Sequence, residues 1–103
     1  MGELVRVARA DQLPSGKRRL VRVHGIEIAL FNHDGAIYAI SNTCPHSTGP
    51  LVEGRLFGTS ITCPWHGAQF DITSGLCQSG PATSDVRAYA VQLKDDNIFL
   101  ELT

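Results

Sequence analysis

Ile26-Glu27-Ile28-Ala29-Leu30-Phe31-Asn32-His33-Asp34-Gly35-Ala36-Ile37-Tyr38-Ala39-Ile40 reads as two strands and a turn. Branched and aromatic residues fill both arms, as suits a pleated surface that is at least half buried. The connection Asn32-His33-Asp34-Gly35 contains Asp-Gly, the pair that supplies the positive-φ positions of a tight hairpin. Upstream, residues 17–23 have the same texture and run into a second turn at His24-Gly25. Three strands and two tight turns in so short a stretch predict an antiparallel meander.

The remaining segments agree with it. Leu4-Val5-Arg6-Val7 alternates weakly, and residues 10–16 form a loop punctuated by Pro14 and Gly16. Gln69-Phe70-Asp71-Ile72 reads as a short strand followed by a turn at Thr73-Ser74-Gly75, and residues 76–84 read as irregular. Residues 86–93 alternate, with Val91 and Leu93 on one side. Asp95-Asp96-Asn97 turns into a last strand at 98–102. No stripe of helical period and length occurs, and there is no internal repeat or low-complexity tract. The expected class is all-β, a small antiparallel sandwich or barrel, with residues 1–103 forming one domain.

Composition narrows the function. The chain has 103 residues, 43% apolar and 18% charged, which excludes a disordered tail, a collagen-like chain and a coiled coil. Apolar runs such as Ile28-Ala29-Leu30-Phe31 are far too short to cross a bilayer, so no membrane role is expected. The formal net charge of −1 gives no reason to expect a nucleic acid as partner. Met1–Arg6 shows no charged start followed by an apolar run, so no secretory signal is expected there. Three cysteines, Cys44, Cys63 and Cys77, are an odd set that suits a reducing cytoplasm better than a disulfide scaffold.

From Asn42 the texture changes. Pro45, Gly49, Pro50, Gly54, Gly58, Pro64 and Gly67 break up the chain, with one apolar run at Ser60-Ile61-Thr62. This loop-rich stretch holds Cys44-Pro45-His46 and Cys63-Pro64-Trp65-His66, separated by the sixteen residues Ser47 through Thr62. Each loop offers one soft thiolate and one imidazole. Zinc accepts two of each in a tetrahedron, but common zinc modules put like ligands on the same turn. One of each per loop suits a binuclear cluster with chemically different ends, sulfur on one iron and imidazole on the other. A Cys–His nucleophile would use one pair and leave the other idle.

These two loops, with Gly67, Phe70-Asp71 and Gly75 after them and the 34–40 hairpin before them, resemble the Rieske ferredoxin family. In texture they resemble the ferredoxin components of bacterial aromatic-ring-hydroxylating dioxygenases. The resemblance implies a β-sandwich base with a loop-rich cluster-binding subdomain at about residues 43–81. It implies one [2Fe–2S] cluster held by Cys44, His46, Cys63 and His66, with Gly80-Pro81 in a loop that covers it. It also implies one-electron transfer from a flavin-containing reductase to a terminal oxygenase, with no catalysis by this chain. A small subunit of an assimilatory NAD(P)H nitrite reductase has similar size and pattern, and a zinc-stabilised interaction module is a third reading. Colour separates the last, because zinc proteins are colourless.

Departures from one branch of the family carry information. Rieske proteins of respiratory and photosynthetic membranes have an extra disulfide, whose positions correspond to Gly49 and Trp65, and hydroxyl donors, whose positions correspond to Ala68 and Phe70. Losing two donors disfavours the reduced cluster. A potential near the bottom of the Rieske range, roughly −150 to +300 mV, is therefore expected. The amides of His46, Ser47, Trp65, His66 and Gly67 are expected to point at sulfur, Gly67 and Gly80 to allow close backbone approach, and Trp65 to cover one flank. Ferric iron should acidify the outer N–H of each imidazole ligand, so the potential is expected to fall as pH rises; voltammetry from neutral to alkaline pH tests this. Cys77 is read as an ordinary small apolar side chain. His24 and His33 are read as solvated turn residues, and Lys17, Arg18, Arg19 and Arg22 as a solvated basic face.

Overall fold

The computed structural model describes residues 3–45, 48–65, 67–79 and 84–102. Its strands are β1 (Glu3–Arg9), β2 (Arg18–Val23), β3 (Ile26–His33), β4 (Ala36–Ser41), β5 (Arg55–Phe57), β6 (Ser60–Thr62), β7 (Gln69–Asp71), β8 (Cys77–Ser79), β9 (Ala88–Lys94) and β10 (Asn97–Leu102). A large sheet runs β1-β10-β9-β4-β3-β2, and a small one β5-β6-β7-β8. All pairings are antiparallel. The expected meander is β2-β3-β4, in continuous register from Arg18↔Phe31 to Ile28↔Ser41. β9 joins the halves of the large sheet: Ala88 and Tyr89 pair with β4, and Ala90 to Lys94 with β10.

The apolar run in β3 has a clear cause. Side chains alternate across a strand, and β3 is covered on both faces. Ile28 and Leu30 enter a core with Ala8, Leu13, Val23, Ala39, Ile98 and Leu100. Ala29 and Phe31 enter a second core with Ile40, Leu51, Ile61, Phe70, Ile72 and both Cys44 and Cys63. The meander is thus the middle of three layers, and the small sheet lies on its outer face.

Several sequence expectations need correction. β5 and β8 fall in stretches read as loop, because three-residue strands such as Arg55-Leu56-Phe57, with two of three residues exposed, carry no legible alternation. Two short 3-10 turns, Ala10–Gln12 and Leu51–Glu53, also lie in expected loops. β9 starts at Ala88, two residues later than expected, because Val86 N–H instead bonds the Gly75 carbonyl at 2.9 Å and Arg87 accepts from Ser41 at 2.8 Å. Leu93 shares a side with Val91 yet is exposed at the sheet's end. Asn32 and His33 belong to β3, not to a turn; only Asp34 and Gly35 have positive φ (54° and 90°). The Asn32 side chain accepts the Gly35 amide at 2.9 Å and donates to the Leu13 carbonyl at 2.8 Å, which fixes it as part of the strand end.

Candidate metal centre

Both cysteine loops are closed in the same way. Cys44 N–H donates to Gly49 C=O (3.0 Å), and Thr48 N–H donates to Cys44 C=O (2.8 Å). Nineteen positions later, Cys63 N–H donates to Ala68 C=O (2.7 Å), and Gly67 N–H donates to Cys63 C=O (3.1 Å). The residue four after each cysteine is left-handed: Thr48 at φ 59° and Gly67 at φ 80°. A proline follows each cysteine and fixes φ at the start of the turn. Two unlike sequences thus build one loop twice.

This geometry changes two expectations. The Gly67 amide closes its own loop and is not a donor toward sulfur. A side chain at Gly67 would meet nothing within 4 Å, so the glycine is there for its positive φ rather than for close approach. Close approach occurs at Gly49 instead: a Cβ there would lie 2.8 Å from Cys63 Sγ and 3.1 Å from Trp65 Cγ. The two loops therefore meet, and the positions corresponding to the disulfide of other family members lie side by side.

Cys44 and Cys63 are 0% and 1% exposed. Buried thiols on two abutting loops are a soft donor pair, and the close packing at Gly49 leaves the Cys63 sulfur no room for a bulkier neighbour. The donor set fits an iron–sulfur cluster. His46 and His66, the other expected ligands, lie outside the described residues, as do Ser47 and Gly80-Pro81. Ala68 and Phe70 are fully buried in the core beside the cysteines, and neither carries a hydroxyl. Trp65 is 57% exposed, so one side of the indole rests on Gly49 while the rest reaches solvent.

The 3-10 turn Leu51–Glu53 sits between the loops and is held from both sides. Asn42, the buried polar residue among those described, accepts Val52 N–H on Oδ1 at 2.8 Å, and its carbonyl accepts Leu51 N–H at 2.8 Å. Its amide nitrogen reaches Glu27 Oε1 at 3.3 Å, and Glu27 accepts from Arg22 at 2.7 Å. From β2, Arg18 Nη1 donates to the carbonyls of Val52 (2.9 Å) and Gly54. Gly54 in turn is flush against Thr62, where any Cβ would strike the Thr62 carbonyl. A chain of contacts thus runs from the base to the residue before Cys63. Arg18 is a structural tie rather than part of a solvated face, and its guanidinium also lies 5.7 Å from the Phe31 ring centroid. Sequence reasoning missed Arg18 and Asn42, since neither falls in a motif.

The other singled-out residues lie away from the loops. Cys77 is half-buried and packs its side chain on the second core; its thiol lies 3.9 Å from the Ser79 carbonyl, and its backbone N–H donates to Asp85 at 2.7 Å. His24 is exposed in its turn, 3.1 Å from Glu3. His33 lies 3.6 Å from Asp34 at the end of β3.

Layered sheets that bury two cysteines on twin loops fit a small iron–sulfur electron-transfer domain. The sequence profile of the Rieske [2Fe-2S] domain matches residues 3–90, and the chain belongs to that family. It holds one cluster of the Rieske type and carries electrons rather than catalysing a reaction. It is 36% identical over 92 residues to the ferredoxin component of the naphthalene 1,2-dioxygenase/salicylate 5-hydroxylase systems of Ralstonia sp, covering 89% of this chain and 88% of that one. It superposes on the ferredoxin of carbazole 1,9a-dioxygenase from Nocardioides aromaticivorans IC177 with a TM-score of 0.90 at 33% identity, covering 97% and 98% of the two chains. A ferredoxin solved in complex with the oxygenase of carbazole 1,9a-dioxygenase gives a TM-score of 0.87 at 30% identity, covering 95% of this chain and 92% of that one. Among the described residues no helix is long and apolar enough to cross a membrane.

Proposed function

We propose that this protein is a low-potential shuttle that takes one electron from a flavin-containing reductase and delivers it to a terminal ring-hydroxylating oxygenase. The observation that carries the reading is the pair of buried thiols on twin, abutting loops. The cluster, when bound, supplies a one-electron couple. Cys44 and Cys63 hold its inner side within the core, and we assign His46 and His66 to its outer side, toward a docking partner. Ala68 and Phe70 offer no hydroxyl to sulfur, so the reduced state lacks two stabilising donors and the potential sits low. Residues 1–103 act as one domain with the cluster-binding part at about 43–81. With Cys44 and Cys63 given to the cluster, the single remaining thiol, Cys77, suits a cytoplasmic setting better than a disulfide scaffold. The ferredoxin names of the relatives favour a shuttle over a nitrite reductase small subunit.

The test is reconstitution. Aerobically purified protein should contain iron and acid-labile sulfide in equal amounts and give a rhombic spectrum once reduced. A flavoprotein reductase with NAD(P)H should reduce it, and oxidised oxygenase should reoxidise it rapidly. Colourless, iron-free protein overturns the reading, and so does a protein that elutes only in a complex with a sirohaem enzyme.

A further inference from the structure

Gly49 is where the two ligand loops touch. One point, the position of a would-be Cβ, lies 2.8 Å from Cys63 Sγ, 3.1 Å from Trp65 Cγ and 3.2 Å from Trp65 Cδ2. Real Cβ atoms essentially never come that near a sulfur, and the ring contacts are tight, so any other residue at 49 must shift the thiol and nudge the indole by a few tenths of an ångström. Loop two supplies both the sulfur and the indole; loop one supplies the bare backbone on which they rest. Trp65 remains 57% exposed while Cys63 is 1% exposed. The indole is therefore an outer covering with a buried sulfur next to it.

We propose that Trp65, seated on Gly49, is the water-excluding cover of the Cys63 sulfur, and that this seat positions it to hold the cluster potential down. The inference rests on Cys63 being a cluster ligand. Reduction adds one negative charge, shared with the sulfurs. Water at a sulfur stabilises that charge, and an apolar ring in its place does not. A sulfur close to an aromatic ring is itself favourable. Gly49 touches the Cys63 sulfur as well as the indole and is a positioning residue for both.

The experiment is voltammetry at fixed pH on iron-loaded wild type, Trp65→Ala, Trp65→Phe, Gly49→Ala and the Gly49→Ala/Trp65→Ala double variant. Trp65→Ala should raise the reduced-to-oxidised ratio at a given poise about tenfold, a shift of about 59 mV for one electron. Trp65→Phe should give a smaller rise. Gly49→Ala should shift the potential as well, and the double variant by less than the sum of the two single shifts, because both changes disturb the same indole while the added Cβ also meets the Cys63 sulfur. Trp65 is the sole tryptophan, so its emission should be strongly quenched in the loaded wild type. An unchanged or lowered potential in Trp65→Ala, or additive shifts in the double variant, overturns the proposal. Should Gly49→Ala fail to retain iron, the two Trp65 variants and the quenching decide. Iron-free wild type sinks the carrier reading along with the cover, whereas an iron-bearing protein whose potential ignores Trp65 sinks the cover alone.

Discussion

Cys44 and Cys63 lie in matching turns that differ at the left-handed position, where one loop has Gly67 and the other Thr48. A β-branched residue there is strained, and it persists because Cys44 and Gly49 lock the loop on either side. Replacing Cys63 with Ser should abolish the rhombic spectrum and the visible colour, since a hard oxygen is a poor substitute for the buried soft ligand. His66→Ala should do the same; a native spectrum in that variant refutes its assignment as ligand. Strain of the same kind is found far from the site. The β9–β10 turn puts Asp95 and Asp96 at φ 52° and 63°, where Asn-Gly is the preferred pair. Changing the two to Asn-Gly should stabilise the fold by about 1 kcal/mol, a rise of about 4–8 °C in Tm for a domain of this size. A calorimetric scan of the paired variant checks it.

Between elements, the 3-10 turn Leu51–Glu53 links the base to both cysteine loops. Its hold on the base comes from Asn42 and Arg18, so each makes a separate prediction. Asn42→Ala leaves the part-buried Val52 amide without its partner and empties a buried position, and should cost about 1–3 kcal/mol in denaturant titrations. Arg18→Met removes the guanidinium from Phe31 and loses two charged hydrogen bonds. Because one of these bonds is exposed and the other only part-buried, the expected loss is about 1–2 kcal/mol. Release of iron to a chelator should be several-fold faster in this variant, as the tie to the Gly54–Thr62 contact loosens. Unchanged release would mean that the turn is held by packing alone. The short strands β5 and β8 owe their existence to neighbours in the same way: each is ordered by pairing with β6 or β7, not by its own pattern.

In the whole molecule, a polar relay through Arg22, Glu27 and Asn42 crosses the meander and ends on the Leu51–Glu53 turn. The hydrogen bond from Arg22, helped by that from Asn42, holds the Glu27 carboxyl below its ordinary value. A carboxyl depressed on folding stabilises the native state while ionised, and that contribution is lost as pH falls through the folded value. Melting temperature should therefore drop on acidification below the ordinary carboxylate range, and Glu27→Gln should flatten that part of the profile; a Gln variant with the wild-type acid slope would count against the relay. Much of this architecture was legible in the residues. The 26–40 hairpin announced an antiparallel meander because strand alternation and Asp-Gly turns are local physics. The Cys-Pro-His and Cys-Pro-Trp-His loops pointed to the cluster because ligand chemistry depends on residue type and spacing. What only the tertiary structure decided were contacts between distant segments: the burial of β3 on both faces, Arg18 reaching across to Val52 and Gly54, and Gly49 lying against Cys63. No periodicity encodes these, because each depends on where two separately folded pieces of backbone come to rest against one another.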